Sequence, residues 1–108
     1  MHTVQYHESF DTTLPGLPVT AMELKVYDNI STAIHCLSTS AGTTFKTQYC
    51  FTDPVTKAVT AYDYDTASPA AGVLQVFNYQ YKVDHIRVVI TGTGTSGGTI
   101  RITGNVAS

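Results

Sequence analysis

The stretch Ile86-Arg87-Val88-Val89-Ile90-Thr91 places its even-numbered apolar residues on one face of an extended chain. After the glycine-rich segment 92–98, the same alternation returns in Ile100-Arg101-Ile102-Thr103. A period of two residues is typical of an antiparallel strand that buries one face. We therefore predict two strands that form a hairpin around the glycine-rich segment, with Arg87 and Arg101 on the outer faces.

The composition of the whole chain favours strands as well. Threonine, valine and isoleucine account for 35 of the 108 residues. These β-branched side chains lose rotational freedom on a helix and pack well on a pleated sheet. The length is that of one domain, so we predict a single all-β domain over residues 1–108.

Turn signals divide the chain into about eight short segments with strand character, as expected for a sandwich. The predicted strands cover residues 4–10, 20–27, 32–38, 44–52, 55–64, 72–77, 86–91 and 100–103, and an extension of the sixth strand to residue 81 is the alternative. We predict a two-sheet antiparallel β-sandwich with the topology of a jelly roll, and an eight-stranded barrel or an immunoglobulin-like sandwich is the alternative. An arm that reaches a neighbouring subunit is one role open to residues 1–18, which contain Pro15 and Pro18.

The charge of the chain excludes several classes of partner. Only 13% of the residues are charged, and the net charge is −2. A nucleic-acid-binding domain or a protein that binds anionic membranes would carry a basic patch. The sequence has no apolar run of the roughly 18 residues that a membrane span needs, and residues 1–8 lack the pattern of a signal peptide. We expect no nucleic acid and no membrane among the partners, and no secretion.

The two cysteines, Cys36 and Cys50, lie in neighbouring predicted strands. A hairpin closing around Ala41-Gly42-Thr43 would place them directly opposite each other on one sheet face. Without an export signal we expect buried, reduced thiols. A disulfide is the alternative, because opposed strand positions come close enough for one.

Residues that could carry chemistry are present, but they do not form a recognisable catalytic pattern. Asp63 and Asp65 flank Tyr64, so a regular strand would project both carboxylates from one face, where they could bind a cation or cap a turn. The segment 92–98 resembles a phosphate-binding loop only in its glycines, because no Gly-Lys-Ser/Thr follows it. We therefore expect no catalytic residue, no metal, no cofactor and no enzymatic activity. The histidines have no ligand spacing either; they are His2, His7, His35 and His85.

Aromatic residues form two stripes at strand spacing. Phe77, Tyr79 and Tyr81 share one face of a predicted strand, and Tyr62 and Tyr64 form a second pair. Such stripes pack inward, form protein interfaces, or stack against sugar rings. All three interpretations remain open at this level, and these five residues are the candidate interface or glycan platform.

Two segments near the end of the chain carry a resemblance to a known family. They are Tyr81-Lys82-Val83-Asp84-His85-Ile86-Arg87-Val88-Val89-Ile90-Thr91-Gly92 and Thr99-Ile100-Arg101-Ile102-Thr103-Gly104. Together they resemble the closing hairpin of small β-sandwich virion proteins of tailed bacteriophages. The high threonine content and low charge are similar to those of capsid decoration, or cement, proteins. The resemblance identifies no individual binding residue.

This resemblance implies a non-enzymatic protein that binds the major capsid protein, or other virion proteins, and stabilises the shell. It also implies a homotrimer, located in the virion after synthesis in the bacterial host cytoplasm. A component of the phage tail, baseplate or fibre is the first alternative. A carbohydrate-binding module is the second.

Overall fold

The computed structural model describes residues 3–14, 16–26, 31–80, 83–94 and 97–107. Within these ranges the chain forms eight strands and no helix long and apolar enough to cross a membrane. The predicted all-β class is therefore confirmed. The strands are β1 (Thr3–Asp11), β2 (Val19–Lys25), β3 (Ser31–Ser38), β4 (Thr44–Thr52), β5 (Val59–Ala67), β6 (Gln75–Tyr79), β7 (His85–Gly92) and β8 (Thr99–Ala107).

The strands form two antiparallel sheets of four, in the orders β1-β8-β3-β6 and β2-β7-β4-β5. Consecutive strands alternate between the sheets, except for β4 and β5, which are neighbours in one sheet. This arrangement is a jelly roll. It confirms the predicted β-sandwich and its topology.

Two predicted hairpins are wrong. Strands β7 and β8 belong to opposite sheets, and so do β3 and β4, so their connections cross the sandwich instead of closing a hairpin. The crossings pack closely against each other. A Cβ added to Gly94 would lie 1.9 Å from the carbonyl oxygen of Ala41. The glycine there permits a close approach of two backbones.

The predicted inward faces are correct. Ile86, Val88 and Ile90 of β7 and Ile100 and Ile102 of β8 are completely buried, whereas the arginines between them point outward, as predicted. Burial of each such side chain contributes about 1.5–3 kcal/mol. In β2 and the residue that follows it, the same alternation buries further residues of this core, namely Met22, Leu24 and Val26.

Strand β5 begins at Val59, four residues later than predicted. The preceding residues form a turn, in which the Asp53 carboxylate accepts hydrogen bonds from the backbone nitrogens of Val55 (2.8 Å) and Thr56 (3.0 Å). An Asx turn of this kind satisfies the backbone locally and competes with strand pairing. Strand β6 likewise begins at Gln75, later than predicted, and is only five residues long.

Strand β1 is an edge strand that pairs with β8 from Thr3 to Asp11. This part of the N-terminal segment belongs to the chain's own sheet. A role of residues 1–18 as an arm onto a neighbouring subunit stays a prediction.

Candidate functional site: an aromatic cluster at one edge of the sandwich

The two predicted aromatic stripes meet where β5 of one sheet faces β6 of the other. Phe77 and Tyr79 point inward from β6, and each is 6% exposed. Tyr64 is partly buried, and its ring stacks on Tyr79 with centroids 4.5 Å apart and planes 9° apart. Tyr62 is 48% exposed. The fifth candidate, Tyr81, lies outside the described residues.

Two residues of β4, which were not predicted as part of the site, extend this group. Tyr49 is the pairing partner of Tyr62, and the two rings stack with centroids 5.2 Å apart. The ring centroid of Tyr49 also lies 4.4 Å from that of Tyr64 and 5.8 Å from that of Phe51. The signal in the sequence that could have identified Tyr49 and Phe51 is their spacing of two residues, which places both on one face of the predicted strand 44–52. The aromatic cluster consists of Tyr49, Phe51, Tyr62, Tyr64 and Tyr79.

Polar contacts hold the buried end of the aromatic cluster. The Tyr79 hydroxyl donates to Oδ2 of Asp65 at 2.7 Å and receives a hydrogen bond from the hydroxyl of Thr47. Burial raises the pKa of Tyr79, and the Asp65 carboxylate raises it further. The phenol therefore stays protonated and serves as a hydrogen-bond donor that fixes its ring.

Asp63 and Asp65 do not project from the same face, so that prediction is wrong. Asp63 accepts a hydrogen bond from Gln48 (2.8 Å) and lies 3.5 Å from the Lys46 ammonium on the outer face. These contacts lower the pKa of Asp63. Asp65 instead reaches Tyr79 of the opposite sheet. A β-bulge in β5 is the cause, because Tyr64 and Asp65 together lie opposite the single residue Thr47 of β4. The extra residue breaks the alternation of β5 and separates the two carboxylates.

The structure brings no metal-binding cluster together among the residues it describes. Their histidines, cysteines and carboxylates do not converge in groups of three or more.

The cysteines are not opposite each other, because their strands lie in different sheets. Cys36 points into the core beside β8, whereas Cys50 lies on the outer face of the other sheet, opposite His85. Both are completely buried free thiols. Burial raises the pKa of Cys36 to about 12 and raises the pKa of Cys50 as well. Both thiols are therefore protonated and weakly nucleophilic.

A charged group lies on the outer face of the same sheet as Cys50. Glu23 accepts a hydrogen bond from Nε of Arg87 at 2.8 Å and lies 3.3 Å from Nε2 of His85. The hydrogen bond from Arg87 lowers the pKa of Glu23. With Lys25 and Val59 these residues line a shallow pocket of about 270 Å³. Because the Glu23 carboxylate is bound to Arg87, we interpret Glu23, His85 and Arg87 as a surface ion-pair network.

Comparison with known proteins finds no matching family model and no curated protein that matches in sequence. Among solved structures, the SPBc2 prophage-derived protein YomS is similar, with a TM-score of 0.56 and 11% identity over 100% of this chain and 98% of that protein. A structure of infectious bursal disease virus, Gx strain, matches with a TM-score of 0.54 and 10% identity. That match covers 97% of this chain and 30% of the viral one.

A third match is the Clostridium thermocellum xylanase 10B, in a structure of its CBM22-1-GH10 modules complexed with xylohexaose. The TM-score is 0.52 at 14% identity, over 96% of this chain and 24% of that one. These likenesses establish the fold. The jelly roll makes up nearly all of YomS but less than a third of the viral and xylanase chains.

Proposed function

We propose that this protein is a non-enzymatic structural component of a bacteriophage particle. The observation that carries the proposal is the full-length likeness to a prophage-derived protein, of which this chain covers 98%. The occurrence of the same fold in a virus structure supports it. The β7 and β8 segments also resemble, in sequence, the closing hairpin of phage virion proteins, although these two strands lie in opposite sheets here.

Within the particle, we propose a capsid decoration protein that binds the major capsid protein as a homotrimer. By bridging neighbouring subunits it would raise the barrier to disassembly of the shell. A low net charge of −2 offers little repulsion between closely packed copies. At the edge strand β6 and just before it, Val73 (52%), Leu74 (51%) and Val76 (39%) are exposed. An apolar strand edge of this kind is suited to docking on another protein.

The proposal of a non-enzymatic role rests on how the titratable groups are used. General acid–base catalysis needs groups that converge on one substrate position. Here Glu23 is paired with Arg87, Asp63 with Gln48 and Lys46, and Asp65 with Tyr79. Each of these three carboxylates supports a different part of the fold.

A position in the tail, baseplate or fibre is the alternative placement. The full-length likeness to a prophage-derived protein supports head and tail placement equally. Electron microscopy of particles labelled with an antibody against this chain distinguishes them, because label falls on the shell in one case and on the tail in the other.

The deciding experiment mixes the purified chain with particles that lack it and measures co-sedimentation. We expect the wild-type chain to sediment with the particles and Leu74→Ser to bind more weakly. Val55→Ser is the matched control, because Val55 is 86% exposed in the distant turn between β4 and β5. The proposal would be overturned if the wild-type chain sedimented with neither the heads nor the tails of the particles.

A further inference from the structure

We propose that the exposed end of the aromatic cluster binds neutral oligosaccharides, with Tyr62 and Phe51 as the stacking surface. This binding site goes beyond the virion role and does not depend on it.

The two rings form an angled surface on adjacent strands. Tyr62 is 48% exposed and Phe51 is 43% exposed, with centroids 6.3 Å apart and planes 67° apart. One face of the Tyr62 ring packs on Tyr49, so its exposure comes from the opposite face and the rim. The exposed face is the part of the ring available to a ligand.

The surface is held in place by ring contacts that lead to the core. Tyr49, the partly buried partner beside Tyr62, has its ring centroid 4.4 Å from that of Tyr64. Tyr64 in turn stacks on the buried Tyr79, whose hydroxyl donates to Asp65. The exposed rings are therefore connected to the core by ring contacts and a hydrogen bond. A rigid surface of this kind loses little conformational entropy when a ligand binds.

Sugars match the chemistry of this surface. The C–H bonds on one face of a pyranose are polarised by the neighbouring oxygens and pack against the negative face of an aromatic ring. Sugar hydroxyls also need donors and acceptors beside the ring. Thr60 is the pairing partner of Phe51 and lies two residues from Tyr62 on the same strand face. The hydroxyls of Thr60 and Tyr62 can each donate and accept.

Local charge favours a neutral sugar over an anionic ligand. The described residues that form this surface, Phe51, Thr60 and Tyr62, are uncharged. The nearby Lys46 and Asp63 contact each other on the opposite face of the β4–β5 hairpin. An acidic polysaccharide or a nucleic acid would gain no ion pair from these three side chains.

The exposed area favours a small ligand over a protein. Two half-exposed aromatic rings offer roughly 200 Å² of apolar surface. A stable protein interface covers about 800 Å² on each partner. One or two sugar rings would cover the available surface, so the site is expected to bind oligosaccharides weakly and along one side.

The test begins with an array of neutral oligosaccharides and the purified chain, followed by NMR titration with each oligosaccharide that binds. We expect chemical shift changes in the wild-type chain to concentrate at Tyr62, Phe51 and Thr60. Tyr62→Ala is expected to weaken binding roughly tenfold through loss of the stacking ring. Tyr62→Phe keeps the ring and is expected to weaken it less than about threefold.

Val4→Ala is the control, since it shortens an exposed apolar side chain on β1, at the edge of the other sheet that is opposite to β6. Shift mapping on the unmutated chain keeps the test informative if Tyr62→Ala unfolds. The proposal fails if no neutral oligosaccharide binds, if the shifts lie elsewhere, or if Tyr62→Ala binds like the wild type. Self-association that Tyr62→Ala abolishes, without glycan binding, would identify a protein interface and also overturn it. Particle co-sedimentation tests the virion role separately.

Discussion

The hydroxyl of Tyr79 on β6 donates to the carboxylate of Asp65 on β5 at 2.7 Å, and this hydrogen bond joins the edge strands of the two sheets. The ring of Tyr79 belongs to the core, whereas Asp65 is exposed at the surface. A single side chain therefore connects the packing of the sandwich to the strand that carries the exposed aromatic residues.

Removal of this hydroxyl is expected to destabilise the protein. Tyr79→Phe keeps the ring but leaves the completely buried Thr47 hydroxyl without its acceptor. We expect a loss of about 1–3 kcal/mol in the free energy of unfolding, measured by urea denaturation with far-UV circular dichroism. Tyr6→Phe is the matched control, since the Tyr6 hydroxyl accepts a long, exposed hydrogen bond of 3.3 Å from the backbone nitrogen of Lys25. Equal losses in the two variants would contradict the assigned role of Tyr79.

The ion pair of Glu23 and Arg87 predicts the direction of the pH dependence. The hydrogen bond from Arg87 holds the pKa of Glu23 in the folded protein below its ordinary value of 4.5. The ion pair therefore contributes its full stability above pH 4.5 and loses it as the pH falls through the lower folded pKa. Glu23→Gln should reduce the loss of unfolding free energy between neutral and acidic pH. Arg87→Met should reduce it similarly, and the double variant should add little. An unchanged pH dependence in Glu23→Gln would argue against this ion pair.

Gly104 of β8 gives room to the side chains of the opposite sheet. A Cβ at this position would lie 2.3 Å from Cδ2 of Leu24 and 3.2 Å from the sulfur of Met22. We expect Gly104→Ala to lower the free energy of unfolding by about 1–3 kcal/mol through overpacking. In thermal denaturation, the melting temperature of the double variant Gly104→Ala/Leu24→Val should fall by less than the sum of the decreases in the two single variants. Strict additivity would place the strain elsewhere.

The two thiols are expected to be unreactive in the folded protein and unpaired in any redox condition that preserves the fold. Cys36 and Cys50 are both completely buried. Cys36 faces the core from β3 of one sheet, whereas Cys50 lies on the outer face of β4 in the other sheet. A thiol reagent should therefore react slowly with the native chain and titrate both thiols once urea unfolds it. A reducing agent should leave the melting temperature unchanged. A lower melting temperature after reduction would indicate a disulfide and contradict this arrangement.

Part of the candidate site was accessible from the sequence. The spacing of Tyr62 with Tyr64, and of Phe77 with Tyr79, correctly placed each pair on one face of a strand. Tyr49 and Phe51 have the same spacing but became part of the site only through the pairing of β4 with β5. The contact of Tyr64 with Tyr79 joins residues of different sheets, and no spacing along the chain encodes it.

The sequence by itself determined the strands and their buried faces, because the alternation of side chains along a strand is a local property. Ile86, Val88 and Ile90 share the buried face of β7 for this reason, whichever strands lie beside it. Only the tertiary structure decided which strands are neighbours, because an inward face can pack in either sheet of a sandwich. The separation of Cys36 from Cys50 follows from that choice. The separation of Asp63 from Asp65 follows from one bulge in the pairing of β4 with β5, a feature set by contacts between strands.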